Sequence, residues 1–136
     1  MFVSGQRAPQ VPSGNPPRYN LPEQEFIDEL RKDGTPQEVL EHPELLQLML
    51  PLFRANYRLS ETYLYREERP LEVPISAYGG EQDAETSLEA LEGWREQTAA
   101  SFKLTLLPGD HHLLNSSRQR LLEELNRELA AIRTGT

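Results

Sequence analysis

Only two segments in the second half of this chain carry strand alternation, and a single helical stretch lies between them. Val73, Ile75 and Ala77 alternate between Pro70 and Gly79-Gly80, which predicts a strand over 73–78 with Pro74 near its beginning. Phe102, Leu104 and Leu106 alternate ahead of Pro108-Gly109 and predict a second strand over 102–107. Between them Thr86-x-x-Glu89 reads as a capping box opening a helix to about Gln97, with Leu88, Leu91 and Trp94 on its face. Ser116-x-x-Gln119 opens a last helix with the stripe Leu121, Leu122, Leu125, Leu129 and Ile132. A strand–helix–strand unit of this length predicts a right-handed crossover between parallel strands. Parallel sheets need cover on both faces, and two strands cannot supply one alone. The chain also opens on an apolar pair, Phe2-Val3, that stops at Ser4-Gly5 and reads as the tail of a further strand. The pattern asks for an α/β architecture larger than these strands.

The residues before 70 follow a different period. Five prolines (Pro9, Pro12, Pro16, Pro17, Pro22) make 6–22 a loop, either a solvated linker or a segment laid over a core. A helix is predicted over 21–33, capped by Asn20, with Phe26, Ile27 and Leu30 as its stripe and Gly34 as its stop. Thr35-Pro36-Gln37-Glu38 reads as a capping box for a short helix carrying Val39 and Leu40. Residues 43–66 are helical, starting at His42-Pro43, and Pro51 is expected to kink or divide them. Leu45, Leu46, Leu48, Met49, Leu50, Leu52 and Phe53 leave few polar faces there, so this stretch needs cover on several sides. Residues 20–66 thus read as a helical subdomain resting on something else.

Composition removes several function classes. The chain has 136 residues, enough for one modest core, with 37% apolar residues and a net charge of −8. The acidic balance argues against a nucleic-acid partner. No apolar run reaches the length of a membrane span, and the start lacks the basic flank of a signal peptide, so a cytoplasmic protein is expected. There is no cysteine, hence no disulfide frame and no thiol catalysis. Three histidines, His42, His111 and His112, are too few for a dedicated metal site, and neither metal nor cofactor is expected.

One constellation carries chemistry. Asp83 follows the first of the two strands and His111 the second. If those strands are neighbours, their ends lie ~5 Å apart and both loops share the carboxyl edge of the sheet. Open α/β sheets place their sites at that edge. There an aspartate can orient a histidine that acts as base and then acid in acyl transfer. The plainer alternative is an aspartate in a glycine turn and a histidine near a helix start. His112 is a competing ring, and a His111–His112 metal pair lacks a third ligand. A nucleophile in a Gly-x-Ser-x-Gly elbow is absent, since no two of the glycines stand four apart.

Several stretches together resemble the type II, or editing, thioesterases of nonribosomal peptide and polyketide synthesis. They are Phe2-Val3-Ser4-Gly5-Gln6-Arg7-Ala8-Pro9, Leu21-Pro22-Glu23-x-Glu25-Phe26-Ile27-x-Glu29-Leu30-Arg31, and Gly34-Thr35-Pro36 with Glu38-Val39-Leu40. Leu50-Pro51-Leu52-Phe53-Arg54-Ala55-Asn56-Tyr57 and Glu61-Thr62-Tyr63 follow. The last are Pro74-Ile75-x-Ala77-x-Gly79-Gly80-x-x-Asp83, Trp94 and Pro108-Gly109-Asp110-His111. The resemblance implies part of an α/β-hydrolase fold, a helical lid followed by the last two parallel strands and their helices. It implies a strand remnant and Pro-rich loop at 1–19, a lid at 20–69 and a C-terminal βαβα part of the core at 70–136. It puts the catalytic aspartate at Asp83 and the histidine at His111, where the family's usual following aromatic is replaced by His112.

The implied activity is hydrolysis of acyl or aminoacyl thioesters on carrier-protein phosphopantetheine. The implied partners are an acyl or peptidyl carrier protein and a separate N-terminal half. Without the elbow serine the isolated chain is expected to be inactive. The alternatives are a non-catalytic carrier-binding fragment, with Arg54, Arg58 and Arg66 as a basic patch against Glu61, or a truncated gene product.

Overall fold

The computed structural model describes residues 1–133. In chain order they form β1 (Phe2–Ser4), α1 (Glu23–Lys32), α2 (Gln37–Leu40), α3 (Pro43–Glu61), β2 (Ile75–Gly80), α4 (Leu88–Glu92), a 3₁₀ turn (Gly93–Gln97), β3 (Phe102–Leu107), α5 (Leu113–Ser116) and α6 (Arg118–Arg133). The end of the segment expected at 70–136, residues 134–136, lies outside the described residues. The chain divides into two compact units, Met1–Val11 with the chain from Arg66 onward, and Pro12–Tyr65. Among the described residues no helix is long and apolar enough to cross a membrane.

The first unit is built on a parallel sheet in the order β1-β2-β3. Phe2 pairs with Ser76, and Ile75 with Phe102 through to Gly80 with Leu107. The third strand is the apolar pair at the start of the chain, which lies beside β2. The central strand is the most buried, with Ile75, Ala77 and Tyr78 at most 1% exposed, as expected for a parallel strand with neighbours on both edges. Successive side chains take opposite faces. Leu91 of α4 packs against Gly79, and Glu128 of α6 gathers the other face. That carboxylate accepts from Ser76 Oγ at 2.5 Å, Tyr78 OH at 3.0 Å and Lys103 Nζ at 2.8 Å. Tyr78, Leu107, Leu113 and Leu121 form the apolar core beneath α5 and α6. Residues 5–11 are laid over α4 and the 3₁₀ turn: Ala8 N donates to Ala90 O, Gln10 Nε2 to Gly93 O, and Trp94 Nε1 to Gln6 O.

The second unit packs Phe26 and Leu30 of α1 against Leu46 and Leu50 of α3, with Leu40, Phe53 and Tyr57 around them. Burying each of these large side chains contributes about 1.5–3 kcal/mol. Arg18 ties the proline-rich loop to both helices, with Nη1 3.0 Å from Asp33 and Nε 3.2 Å from Glu61. Burial works against its charge, but Asp33 and Glu61 together hold the guanidinium above its ordinary pKa. Glu61 Oε2 also accepts from the backbone N–H groups of Arg18 and Tyr19. Leu48, Leu52 and Leu59 on the remaining face of α3 are exposed.

Several local expectations are corrected. α1 is preceded by Pro22 rather than capped by Asn20, because its first bond runs from Phe26 N to Pro22 O. Thr35 caps nothing: its N–H closes α1 on Leu30 O, and Pro36 stands at the N-cap of α2. α3 is one helix straight through Pro51, whose missing N–H leaves Gln47 O without a helical donor while the apolar core keeps both turns in place. It ends at Glu61, not Arg66, where the Thr62 hydroxyl donates to Arg58 O. Arg54 is used inside its own unit, donating to Tyr19 O at 2.8 Å and lying 4.4 Å above the Phe26 ring. The expected basic patch thus has Arg54 committed within the unit, while Glu61, expected to oppose the patch, is bound to Arg18. The last helix begins at Arg118 and is preceded by the short α5, the two being separated at Ser117, whose hydroxyl donates to Pro108 O; only Leu121 of its stripe is buried.

Candidate active site

The parallel register sets the ends of β2 and β3 side by side, and hydrogen bonds join the loops that follow. Glu81 N donates to Leu107 O and Gln82 N to Gly109 O, both at 2.9 Å, and Gly109 N returns to Gln82 Oε1 at 2.7 Å. The approach is close enough that only glycine fits at position 80, where a Cβ would press into the carbonyls of Gly109 and Asp110.

Asp83 stands at the turn after β2 and its side chain is 1% exposed. Oδ1 accepts from the backbone N–H groups of Glu85 at 2.8 Å and Thr86 at 2.9 Å. This is the local Asx arrangement that holds a carboxylate in one orientation. Oδ2 lies 3.0 Å from His111 Nδ1. The carboxylate only accepts, so in the neutral imidazole this contact places the proton on Nδ1 and leaves the lone pair on Nε2. The His111 side chain is 32% exposed, and Nε2 has the Glu85 carboxylate 3.8 Å away, beyond hydrogen-bond length. A histidine oriented this way can take a proton at Nε2 and return it.

The structure therefore brings together the two residues named from sequence. It also distinguishes the two histidines by their partners. His112 stands at the N-cap of α5, its backbone N–H on Asp110 Oδ1 at 3.0 Å, and its ring meets that of His111 edge-on at 5.5 Å. Asp83 reaches His111. The Ser116 hydroxyl and the His112 N–H hold the Asp110 carboxyl below its ordinary pKa. Among the described residues no group of three His, Asp or Glu side chains is arranged to hold a metal ion.

Two further neighbours, Gly5 and Thr86, belong to this setting, and the sequence pattern assigns neither of them to it. Gly5 turns the chain out of β1 at φ 58, and a Cβ there would stand 3.2 Å from His111 O. Thr86 is buried, donates to Gly5 O at 3.1 Å and lies 3.5 Å from His111 Nδ1. The sequence pattern reads Thr86 as a helix cap, a role that Ser87 performs by accepting from Ala90 N at 3.2 Å. The available signal was the Asp-x-x-Thr spacing, which equally reads as a helix start.

The family model of the thioesterase domain matches residues 1–129. The gramicidin S biosynthesis protein GrsT of Aneurinibacillus migulanus is 38% identical over 133 residues, which is 97% of this chain and 52% of that protein. Among solved structures, the RedJ thioesterase of the prodiginine pathway in Streptomyces coelicolor superposes with a TM-score of 0.82 at 33% identity, over 93% of this chain and 51% of that one. The type II thioesterase BorB of the borrelidin cluster gives 0.81 at 32% identity, over 94% and 53%. The chain spans about half the length of these relatives. Its fold is correspondingly part of the α/β-hydrolase architecture, and the chain belongs to the thioesterase family.

Proposed function

We propose that this chain is the acid–base half of a type II thioesterase that releases acyl groups from the phosphopantetheine thioester of a carrier protein in nonribosomal peptide or polyketide synthesis. The observation that carries the reading is the 3.0 Å contact between buried Asp83 and His111 at the carboxyl edge of the sheet. In this reading both are triad members. His111 Nε2 takes the proton of a serine as it attacks the thioester carbonyl, then gives it to the departing thiol. Water releases the acyl group in a second step, with the same imidazole as base. Asp83 holds the ring and stabilises the imidazolium. The helical segment 20–69 is the lid, and 70–136 the closing part of the core. The serine and the oxyanion donors come from a preceding half, continuous with this chain or separate from it, and the protein works in the cytoplasm.

The test joins this chain to the half of GrsT that it does not match, GrsT being 38% identical to this chain over the 133 aligned residues. Hydrolysis of an acyl-pantetheine thioester is followed by thiol release. The joined protein turns over, and Asp83→Asn lowers kcat about 10⁴-fold, the size seen when a triad carboxylate is lost. His111→Ala abolishes turnover, and the chain by itself shows none. A folded hybrid whose turnover is indifferent to His111 refutes the assignment.

A further inference from the structure

The Asp83 carboxylate accounts for one contact at His111 Nδ1, and a buried hydroxyl stands against the same atom. Thr86 Oγ1 is 3.5 Å from Nδ1 and 3.1 Å from the carbonyl oxygen of Gly5, and Thr86 is 8% exposed. A hydroxyl has one proton and two lone pairs, whereas a carbonyl oxygen only accepts. The Thr86 proton therefore goes to Gly5, and the face it turns to His111 is a lone pair. Both oxygens at Nδ1 are then acceptors. The backbone N–H of Thr86 donates to Asp83 Oδ1 at 2.9 Å, so one residue touches the end of β1, the carboxylate and the imidazole.

We propose that Thr86 is a positioning residue of the Asp83–His111 pair. Its hydroxyl, committed as a donor to Gly5, confines the imidazole proton to Nδ1 and keeps Nε2 free as the base. This rests on the catalytic reading of the pair, but the tautomer is measurable without turnover. Asp83 alone leaves the ring able to swing about one hydrogen bond. The second acceptor closes the other side, and the left-handed turn at Gly5 brings the required carbonyl within reach. Serine retains the circuit, since it has the same hydroxyl. Valine keeps the shape and loses it.

The experiment uses the full chain labelled with ¹⁵N-histidine, at a pH where the imidazole is neutral. Long-range ¹H–¹⁵N spectra report the tautomer of His111, and the Nδ1 proton reports exchange with water. Wild type and Thr86→Ser carry the proton at Nδ1 and protect it. In Thr86→Val the Nδ1 proton exchanges about tenfold faster and the Nε2–H share rises by a similar factor. Amide spectra show that each variant is folded, and Thr86→Ala answers the same question if the valine variant is not. The proposal is overturned if a folded variant without the hydroxyl matches wild type in both readouts while Asp83→Asn does not. It is also overturned if Thr86→Ser behaves as Thr86→Val. A wild-type protein with its proton on Nε2 instead removes the catalytic reading beneath it.

Discussion

Replacing Gly80 by alanine tests how finely the loop junction sets the catalytic pair. The added methyl meets two backbone oxygens, those of Gly109 and Asp110, and stands 3.0 Å from the Asp110 carbonyl carbon. None of these can rotate away, as the end of a side chain could. An ordinary contact requires the loop after β3 to retreat by about 1 Å. His111 is the next residue along that loop, while Asp83 is held by Glu85 and Thr86 on the other. A retreat of about 1 Å stretches the 3.0 Å Asp83–His111 hydrogen bond to about 4 Å, past the limit at which it counts as one. Overpacking of this kind costs about 1–3 kcal/mol. In the joined enzyme a misplacement of about 1 Å lowers turnover by about 10²-fold. Urea unfolding gives the first figure, and the protected Nδ1 proton of His111 reports the second effect directly. Gly14→Ala is the control, because nothing lies within 4 Å of a Cβ there. If Gly80→Ala unfolds at the wild-type midpoint and keeps the protected proton, the junction does not set the pair.

Three further outcomes follow from other contacts. Burial opposes the charge of Glu128, but hydrogen bonds from Lys103, Ser76 and Tyr78 outweigh it and hold its carboxyl below the ordinary 4.5. A depressed folded value adds stability above the unfolded value, so wild type loses it as pH falls below about 4.5, and Glu128→Gln flattens that acid limb. Burial, then Glu128, raises the Tyr78 phenol above its ordinary 10.0, so stability is lost as pH rises past about 10 and Tyr78→Phe removes this loss. Urea midpoints across pH measure both, and unchanged limbs in the variants would sink the assignments. Ser87→Ala removes the cap of α4 and costs about 1 kcal/mol in the same assay, an effect that would be absent if Thr86 were the cap.

Periodicity and spacing carried a large share of this protein. The strand expected over 102–107 is β3, because alternation is a property of the local chain and needs no partner to be visible. The strand expected at 73–78 runs from Ile75 to Gly80, displaced because the two glycines pair with Leu106 and Leu107 despite their weak preference for strands. The meeting of Asp83 and His111 was legible because one crossover between parallel neighbours returns the chain to the same edge. Tertiary structure alone decided what rested on contacts between distant segments. Thr86 and Ser87 look alike as caps until a carbonyl 81 positions away claims the threonine hydroxyl. His111 and His112 look alike as bases until one loop is tied to the other and the buried carboxylate reaches the first. Pro51 reads as a break, yet the apolar contacts of Leu46 and Leu50 hold the helix through it. Arg54 reads as a free surface charge, yet it lies on Phe26. Local chain stiffness and apolar period are written residue by residue, whereas hydrogen-bond partners between distant residues are chosen only when folding brings their competing donors and acceptors together.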